Sequence, residues 1–190
     1  MGGNLVQSES GAYIEISEIF PFGFRYGDML LERSFGGKNI PLSAFLIKDA
    51  GKESHPSQLV FIDTETTGLG GAGTVPFLVG IGRFTNDGFE VRQYLLPDYS
   101  DERAMLNALL ADINETSVIV SYNGAAFDIP IVQDRVIINR CERQLRFESH
   151  LDVLHATRRL FRRRLKDCSL INLVKALLGH ERGEDIPGYL

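Results

Sequence analysis

The sequence predicts an α/β fold in which helices cover a mixed β-sheet, and three features indicate it. Three apolar runs, LVFID, VPFLVGIGRF and FEVRQYLL, are separated by turn-forming residues and predict a meander of three strands. The segment DERAMLNALLADI then has helical periodicity. Two further strand-like runs, SVIVSYN and LRFESHLDV, alternate with two further helix-like segments. The order β-β-β-α-β-α-β-α therefore predicts a mixed sheet with helices on its faces.

The predicted helices follow from the spacing of their apolar residues. The first has one apolar face, formed by Met105, Leu106, Leu109, Leu110 and Ile113. The second, in IPIVQDRVIINRC, is rich in β-branched residues but has residues at helical spacing, namely Ile131, Val132, Arg135, Val136 and Asn139. The third, in VLHATRRLFRR, is expected to bury Leu154, Thr157, Leu160 and Phe161.

The first 55 residues differ from the rest of the chain. They alternate short apolar pieces such as AYIEI and FPFGFRYG with glycine and proline, which predicts strands and turns packed on a neighbour. Residues 48–58, KDAGKESHPSQ, have the composition of a linker. We therefore predict an N-terminal strand and turn extension with a linker over residues 1–55, and a folded domain over residues 56–190.

The composition excludes several classes of protein. A chain of 190 residues with 44% hydrophobic content is long enough for one domain with its own core. It has no apolar run of membrane-spanning length, and its first residues, MGGNLVQSES, lack the features of a secretory signal, so we expect a cytoplasmic protein with no membrane partner. Cys141 and Cys168 have no partner at metal spacing and are expected to be reduced thiols.

The stretch LVFIDTETTGLGGAG, residues 59–73, allows two interpretations. Gly68, Gly70 and Gly73 spell the G-x-G-x-x-G of dinucleotide-binding proteins. That fingerprint requires a helix after the glycines, whereas TVPFLVGIG suits a strand. We therefore interpret the glycines as a hairpin turn. Asp63 and Glu65 are separated by one residue of a strand, so both carboxylates point to one side while Thr64 points away.

Asp128, in SYNGAAFDIP, is a third candidate acid. It follows the end of an apolar strand, where it can face the end of a neighbouring strand. Carboxylate oxygens of this kind suit Mg²⁺ or Mn²⁺. Taken alone, Asp128 is equally typical of the first turn of a helix.

Two motifs carry a resemblance to a known family. FIDTETTGL and YNGAAFDIP occur in this order at the ends of predicted strands, and they resemble the first two motifs of the DEDD exonucleases in the ribonuclease H-like superfamily. Further segments, YGDMLLER, GGAGTVPFLVGIG, HLDVLHATRRLFRRRL and ERGEDIPGYL, extend the resemblance over about residues 12–190 to the YprB-like group of ribonuclease H-like proteins. The resemblance implies a five-stranded mixed sheet with helices on both faces.

The resemblance also implies a site. Asp63, Glu65 and Asp128 match the positions of metal ligands, with two ions, Mg²⁺ or Mn²⁺, in a complete site. Such ions activate a water and stabilise the leaving oxygen at phosphorus.

The same resemblance implies four contacts with substrate, at Thr66, Thr67, Leu69 and Asn123. The two threonines are expected at the sugar of the terminal nucleotide. Leu69 either wedges against a base or packs in the core. Asn123 either contacts substrate or only shapes its turn.

The family pattern includes a fourth carboxylate in an H-N-x-x-D segment. The sequence stops at DIPGYL, so we expect it to be truncated before that third motif. Asp152 and Asp167 are candidates for a substitute carboxylate, but Asp152 is more typical of a helix cap or a group behind the ligands, and Asp167 of an N-cap. We predict none of His150, His155 and His180 as the catalytic base.

The segment RRLFRRRLK, residues 158–166, has six cationic residues and no acid. With Leu160 and Phe161 holding the helix in place, we expect Arg159, Arg162 and Arg163 to contact phosphates. The alternative is a solvated helix face. Together these features predict a divalent-metal-dependent nuclease domain, a 3′–5′ exonuclease acting on single-stranded ends of DNA or RNA. The alternatives are a nucleic-acid-binding module without the fourth carboxylate and, more remotely, a dinucleotide-binding oxidoreductase.

Overall fold

A seven-stranded mixed sheet forms the centre of the fold. The structure is a computed structural model, and it describes residues 2–31, 38–42, 53–68, 71 and 73–180. In spatial order the sheet contains β1 (Asn4–Ser8), β2 (Gly11–Pro21), β9 (Gly88–Leu95), β8 (Pro76–Phe84), β7 (Leu59–Thr66), β10 (Val118–Ser121) and β11 (Ser149–Asp152). Two short pairs lie outside it, β3 (Arg25–Tyr26) with β4 (Met29–Leu30) and β5 (Ile40–Pro41) with β6 (Glu53–Ser54).

The strand directions confirm the predicted mixed sheet. β7, β8 and β9 form an antiparallel meander, and β10 and β11 lie parallel to β7 on its other side. The sheet has two strands more than the expected five, because β1 and β2 from the predicted N-terminal extension join it at β9. The extension is therefore part of the same sheet.

Four helices occur among the described residues: α1 (Glu102–Asp112), α2 (Asp128–Ile138), α3 (Val153–Phe161) and α4 (Leu170–Leu178). The predicted apolar face of α1 is buried in full, with every member at most 5% exposed. In α2, the predicted Arg135 and Asn139 both donate hydrogen bonds to Glu102 of α1, at 2.6 and 2.9 Å. The described helices are all too short to cross a bilayer.

The prediction for α3 was wrong at one residue. Leu154 and Thr157 are buried as expected, but Leu160 is 62% exposed. At about 100° per residue, Leu160 lies roughly 120° around the helix from Leu154, whereas Phe161 returns to nearly the same side. Phe161, which is half-buried, therefore holds the end of the helix without help from Leu160.

Each face of the sheet has its own apolar cluster, and β7 contributes to both. On the face covered by α1 and α2, the cluster includes Val60 and Ile62. On the opposite face, Leu59 and Phe61 pack with Val118, Val120 and Leu151. By strand alternation, Thr64 continues the first face, and Asp63 and Glu65 continue the second.

The two cysteines, Cys141 and Cys168, are free thiols, as predicted. Burial raises the pKa of the Cys141 thiol. A reactive thiolate at Cys141 is therefore disfavoured at neutral pH.

Candidate active site

The predicted acid pair lies where β7 extends beyond its parallel neighbour. β10 pairs with β7 only over residues 59–61, so Asp63 and Glu65 lie past the last paired residue. Both are exposed, and their partners on β8 are Gly80 and Leu78. The structure thus confirms that the two carboxylates share one side of the strand, next to a position with no side chain.

Asp128 lies on the other side of β7. It is the first residue of α2, it is buried, and it accepts a hydrogen bond of 2.6 Å from the hydroxyl of Thr64. α2 packs on the face to which Thr64 points, so the helix start brings Asp128 to Thr64 and not to the acid pair. Among the described residues, no three acid, histidine or cysteine side chains lie close enough together to hold a metal ion.

A short turn between β10 and α2 is shaped by the buried carboxylate of Asp152. Its oxygens accept hydrogen bonds from the backbone N–H groups of Asn123 (2.8 Å), Ala125 (3.1 Å) and Leu154 (3.0 Å). The bond to Leu154 makes Asp152 the N-cap of α3, as the sequence indicated. The other two fix the turn, in which Asn123 has a left-handed backbone with φ of 69°.

A polar pair, buried Ser121 and partly buried His150, lies beside Asp128. Ser121 Oγ and His150 Nε2 are 2.8 Å apart. A methyl group at Gly124 would lie 2.4 Å from Ser121 Oγ and 2.8 Å from an oxygen of Asp128, so only glycine fits between them. Burial lowers the pKa of His150, so its imidazole is neutral at neutral pH.

Three residues here were missed by sequence reasoning. Thr64, Ser121 and His150 surround Asp128, yet none has a motif of its own. Gly124 was the available signal, because a glycine just after a strand often marks close packing around it. His155 is exposed, and the ring of His180 packs at a tilt against that of Tyr26 with 4.5 Å between the ring centroids, so neither lies with this group.

Two clefts meet above this end of the sheet. One, of about 270 Å³, is lined by Thr64, Thr66, Tyr122, Asn123, Phe127, Asp128 and Ile131. The other, of about 440 Å³, is lined by Tyr122, Asn123, Leu154, Arg158, Asp167, Cys168, Ser169 and Leu170. A larger hollow of about 760 Å³ lies elsewhere, between the end of α1 and residues 142–146, and none of the predicted site residues lines it.

The threonines after the acid pair stabilise the turn from β7 to β8. Thr66 donates its hydroxyl to the carbonyl of Gly68 at 2.7 Å, and the hydroxyl of Thr67 accepts the N–H of Val75 at 3.0 Å. This turn leads to a strand, which confirms the hairpin interpretation of the glycines and excludes a dinucleotide fingerprint. Leu69 lies outside the described residues.

The predicted cationic residues lie at the end of α3. Arg159 is in its last turn, Arg162 is its C-cap, and Arg163 follows; all three are exposed. Asp167 accepts hydrogen bonds from the N–H of Ser169 and the side-chain amide of Asn172. Hydrogen bonding to Ser169, mainly to its side chain and then to its backbone N–H, lowers the pKa of Asp167 to about 2. The N-cap of α4 is Ser169, so the prediction of Asp167 as that cap was wrong by two residues.

The mixed sheet and the helices on its faces define an α/β protein, and comparisons with known proteins give the family. The profile of the RNase H superfamily matches residues 60–190, and the chain belongs to this superfamily. The protein YprB of Bacillus subtilis (strain 168) is 42% identical over 144 residues, which are 74% of this chain and 34% of YprB. The predicted resemblance to the YprB-like group is thereby confirmed.

The fold is shared with a solved structure. A product-bound exonuclease I superposes with a TM-score of 0.51 and 18% identity, over 66% of this chain and 39% of that one. Escherichia coli exonuclease I in complex with a dT13 oligonucleotide gives a TM-score of 0.46 and 20% identity, over 62% and 35% of the two chains. The chain spans 34% to 39% of the length of YprB and of these exonucleases.

Proposed function

We propose that this chain is a nuclease domain that removes nucleotides from the 3′ end of single-stranded DNA or RNA with the help of divalent cations. The observation that carries the proposal is the pair of carboxylates on one side of β7, at Asp63 and Glu65, in a chain of the RNase H superfamily. The site lies at the carboxyl end of parallel strands, which is where open α/β sheets bind ligands.

The chemistry of the acid pair fits a hard divalent cation. Asp63 and Glu65 supply only oxygen donors, and two like charges on one side of a strand repel each other unless a cation lies between them. Asp128 does not fit the same ion in this arrangement, because its carboxylate is bonded to Thr64 on the other side of β7. Asp63 and Glu65 are thus the residues that would hold Mg²⁺ or Mn²⁺.

When bound, such a cation supplies Lewis-acid polarisation of a phosphodiester and lowers the pKa of a bound water. The residues of the chain hold the groups around the site in position. Asp152 fixes the turn that presents Asn123 at the clefts, and Thr64 fixes one oxygen of Asp128. The hydroxyls of Thr66 and Thr67 are used to stabilise their own turn, so a contact with a terminal sugar uses the remaining lone pairs or the adjoining backbone.

The cationic end of α3 supports nucleic acid as the partner. The chain has a formal charge of −5, yet six cationic residues and no acid occur in residues 158–166. The arginines among them are exposed and can exchange counterions for the phosphates of a strand. Overall charge therefore does not oppose binding at this position.

The proposal is tested with single-stranded oligonucleotides that have a fluorescent label at the 5′ end. With Mn²⁺, the wild-type chain is expected to give a ladder of shortened labelled products, and Asp63→Asn to slow their appearance roughly 100-fold or more, since a lost ligand weakens the cation site. Asp87→Asn, in the exposed turn between β8 and β9, makes the same charge change and should leave the rate unaltered.

Three results bear against the proposal. Release of the label as a mononucleotide would show that digestion starts at the 5′ end and not at the 3′ end. Equal rates for wild type and Asp63→Asn would remove the acid pair from the site. Intact substrate with every cation would exclude the nuclease.

One observation favours a second candidate, a binding module that does not cleave. The described residues do not bring three carboxylates together, and Asp128 is separated from the pair. This candidate predicts that the same labelled strands are retarded in a native gel without being shortened. It becomes the leading function if strands bind and no Mn²⁺ concentration produces a ladder.

A further inference from the structure

The two clefts above the sheet share Tyr122 and Asn123, so they adjoin and form one groove. It extends from Thr64 and Asp128 at one end to Arg158 at the other. The 440 Å³ of its second part falls in the range of roughly 300–1,000 Å³ found for small-molecule sites. That volume accommodates one nucleotide.

The ring of Tyr122 is held rigidly in the middle of this groove. Its hydroxyl donates a hydrogen bond of 2.5 Å to the carbonyl of Cys168. Burial raises the pKa of this hydroxyl, which keeps it protonated as a donor. The next residue, Asn123, is fixed through its N–H by Asp152. A tyrosine that lines two clefts and is fixed at its hydroxyl presents a flat apolar surface. Its side chain has little conformational entropy left to lose when a ligand binds.

Arg158 supplies positive charge at the far end. It is exposed on α3, lines the second cleft, and forms no salt bridge within the part of the chain that the structure describes. Asp167 lines the same cleft, but its carboxylate accepts hydrogen bonds from the N–H of Ser169 and the amide of Asn172. The guanidinium is therefore the group in this cleft that is available to an anion.

We propose that Tyr122 and Arg158 form a subsite for one nucleotide of a single strand, in which the base stacks on the Tyr122 ring and the adjoining phosphate binds Arg158. Stacking on an aromatic ring is tolerant of base identity, because every base has a π-face. The subsite thus recognises unpaired nucleic acid without reading its sequence. The inference rests on the proposed function and adds the residues that position the strand.

Binding is measured in EDTA, where no cleavage occurs, by fluorescence anisotropy of a labelled oligothymidylate and by the fluorescence of 2-aminopurine placed along a strand. Tyr122→Leu is expected to weaken binding roughly ten-fold and to abolish the quenching of 2-aminopurine by stacking. Tyr122→Phe keeps the ring and loses only the hydroxyl, so its affinity should stay within about two-fold of wild type.

Arg158→Ala is expected to reduce the slope of log affinity against log salt by about 0.7, the amount for one phosphate of a single strand. Arg146→Ala is the matched control, because Arg146 pairs with Glu115 at the hollow away from the groove. It should leave both the affinity and the salt slope unchanged.

Equal losses for Tyr122→Phe and Tyr122→Leu would show that the tyrosine acts only through its bond to Cys168, and would overturn the stacking role. An unchanged salt slope for Arg158→Ala would overturn the phosphate contact, even if the Tyr122 variants failed to fold. Because binding is measured in EDTA and cleavage separately with Mn²⁺, a chain that binds strands in EDTA but leaves them intact with Mn²⁺ would exclude the nuclease activity and keep the subsite. Cleavage with Mn²⁺, together with unaltered strand binding by Tyr122→Leu and Arg158→Ala in EDTA, would keep the nuclease and exclude the subsite.

Discussion

Asp152 shows how one carboxylate determines local structure on both sides of a strand end. It is buried, and three backbone N–H groups from two segments donate to its oxygens. A buried N–H group without a partner is costly, and the carboxylate of Asp152 supplies an acceptor to each of these three donors. The turn with Asn123 and the start of α3 therefore depend on the same side chain.

This arrangement predicts a strong effect of Asp152→Asn. The amide keeps one acceptor oxygen, which can serve Asn123 and Leu154, but it turns its NH₂ group toward the N–H of Ala125, so at least this donor loses its partner, at about 1–3 kcal/mol. We expect urea unfolding to show a loss of that size, and nucleic-acid binding to weaken because the turn is released.

Asp167→Asn is the control for Asp152→Asn, since Asp167 also accepts a backbone N–H but is exposed. Its free energy of unfolding should change by less than about 1 kcal/mol. A similar small change for Asp152→Asn would show that the turn is held by other contacts.

At the residue scale, the sequence predicted what strand geometry alone decides. Asp63 and Glu65 share a side of β7 because alternate residues do, and their spacing was sufficient to show it. The partner of Asp128 was not predictable in this way, because it depends on which face of the sheet α2 covers. The face that α2 covers depends on how the chain crosses from β10 to β11. No local feature of the sequence identified Thr64 as the partner of Asp128.

At the scale of elements, an ionic cluster joins the meander to α1. Arg83 of β8 and Arg92 of β9 each bind both Glu90 and Asp112, at 2.7 to 2.9 Å. The hydroxyl of Tyr94 also donates to Asp112. Burial tends to raise the pKa of Glu90, but the hydrogen bonds from Arg92 and Arg83 outweigh it and lower the pKa below its ordinary value of 4.5.

The cluster predicts a stability that depends on pH. Because the folded state holds Glu90 ionised below pH 4.5, the unfolded state takes up the proton first, and the free energy of unfolding falls as the pH decreases. At pH 7, Glu90→Gln is expected to cost about 3 kcal/mol, since it leaves two arginines with one carboxylate. The difference from wild type should shrink as the pH falls from 4.5 through the lowered pKa.

Urea unfolding at a series of pH values measures this dependence. Glu115→Gln removes an exposed partner of Arg146 and should change the free energy of unfolding by less than about 1 kcal/mol at any pH. A pH-independent difference between Glu90→Gln and wild type would mean that Glu90 contributes through packing and not through its charge.

The sequence predicted elements best where periodicity was long. The eleven residues of α1 have their full apolar face buried as expected. The burial of Leu160 was predicted wrongly because α3 has only nine residues. Near the end of so short a helix, a shift of one position, about 100° around the axis, decides whether a side chain reaches the sheet. The partners of β1 and β2 were not predictable, because a strand's alternation does not identify the strand beside it.

At the scale of the whole molecule, the N-terminal residues contact two separate parts of the remaining chain. β2 pairs with β9 over Ile14–Pro21, and the N–H of Ala12 donates to Asp101 at 2.9 Å. The rings of Tyr13 and Tyr94 lie 5.8 Å apart. The N–H of Asp28 donates to the carbonyl of Leu178 at the end of α4, at 2.7 Å. These contacts make residues 12–28 part of the folded unit.

The structure therefore predicts that a fragment of residues 56–190, the domain expected from sequence, does not keep the stability of the whole chain. Removing β2 leaves β9 as an unpaired edge and uncovers Tyr94, which is 1% exposed in the whole chain. We expect the whole chain to unfold in urea in one transition. The fragment should unfold at lower urea, bind hydrophobic dyes and aggregate at micromolar concentration. If both chains unfold at the same urea midpoint with an m-value scaled only to their length, the first 55 residues are an attachment and not part of the cooperative unit.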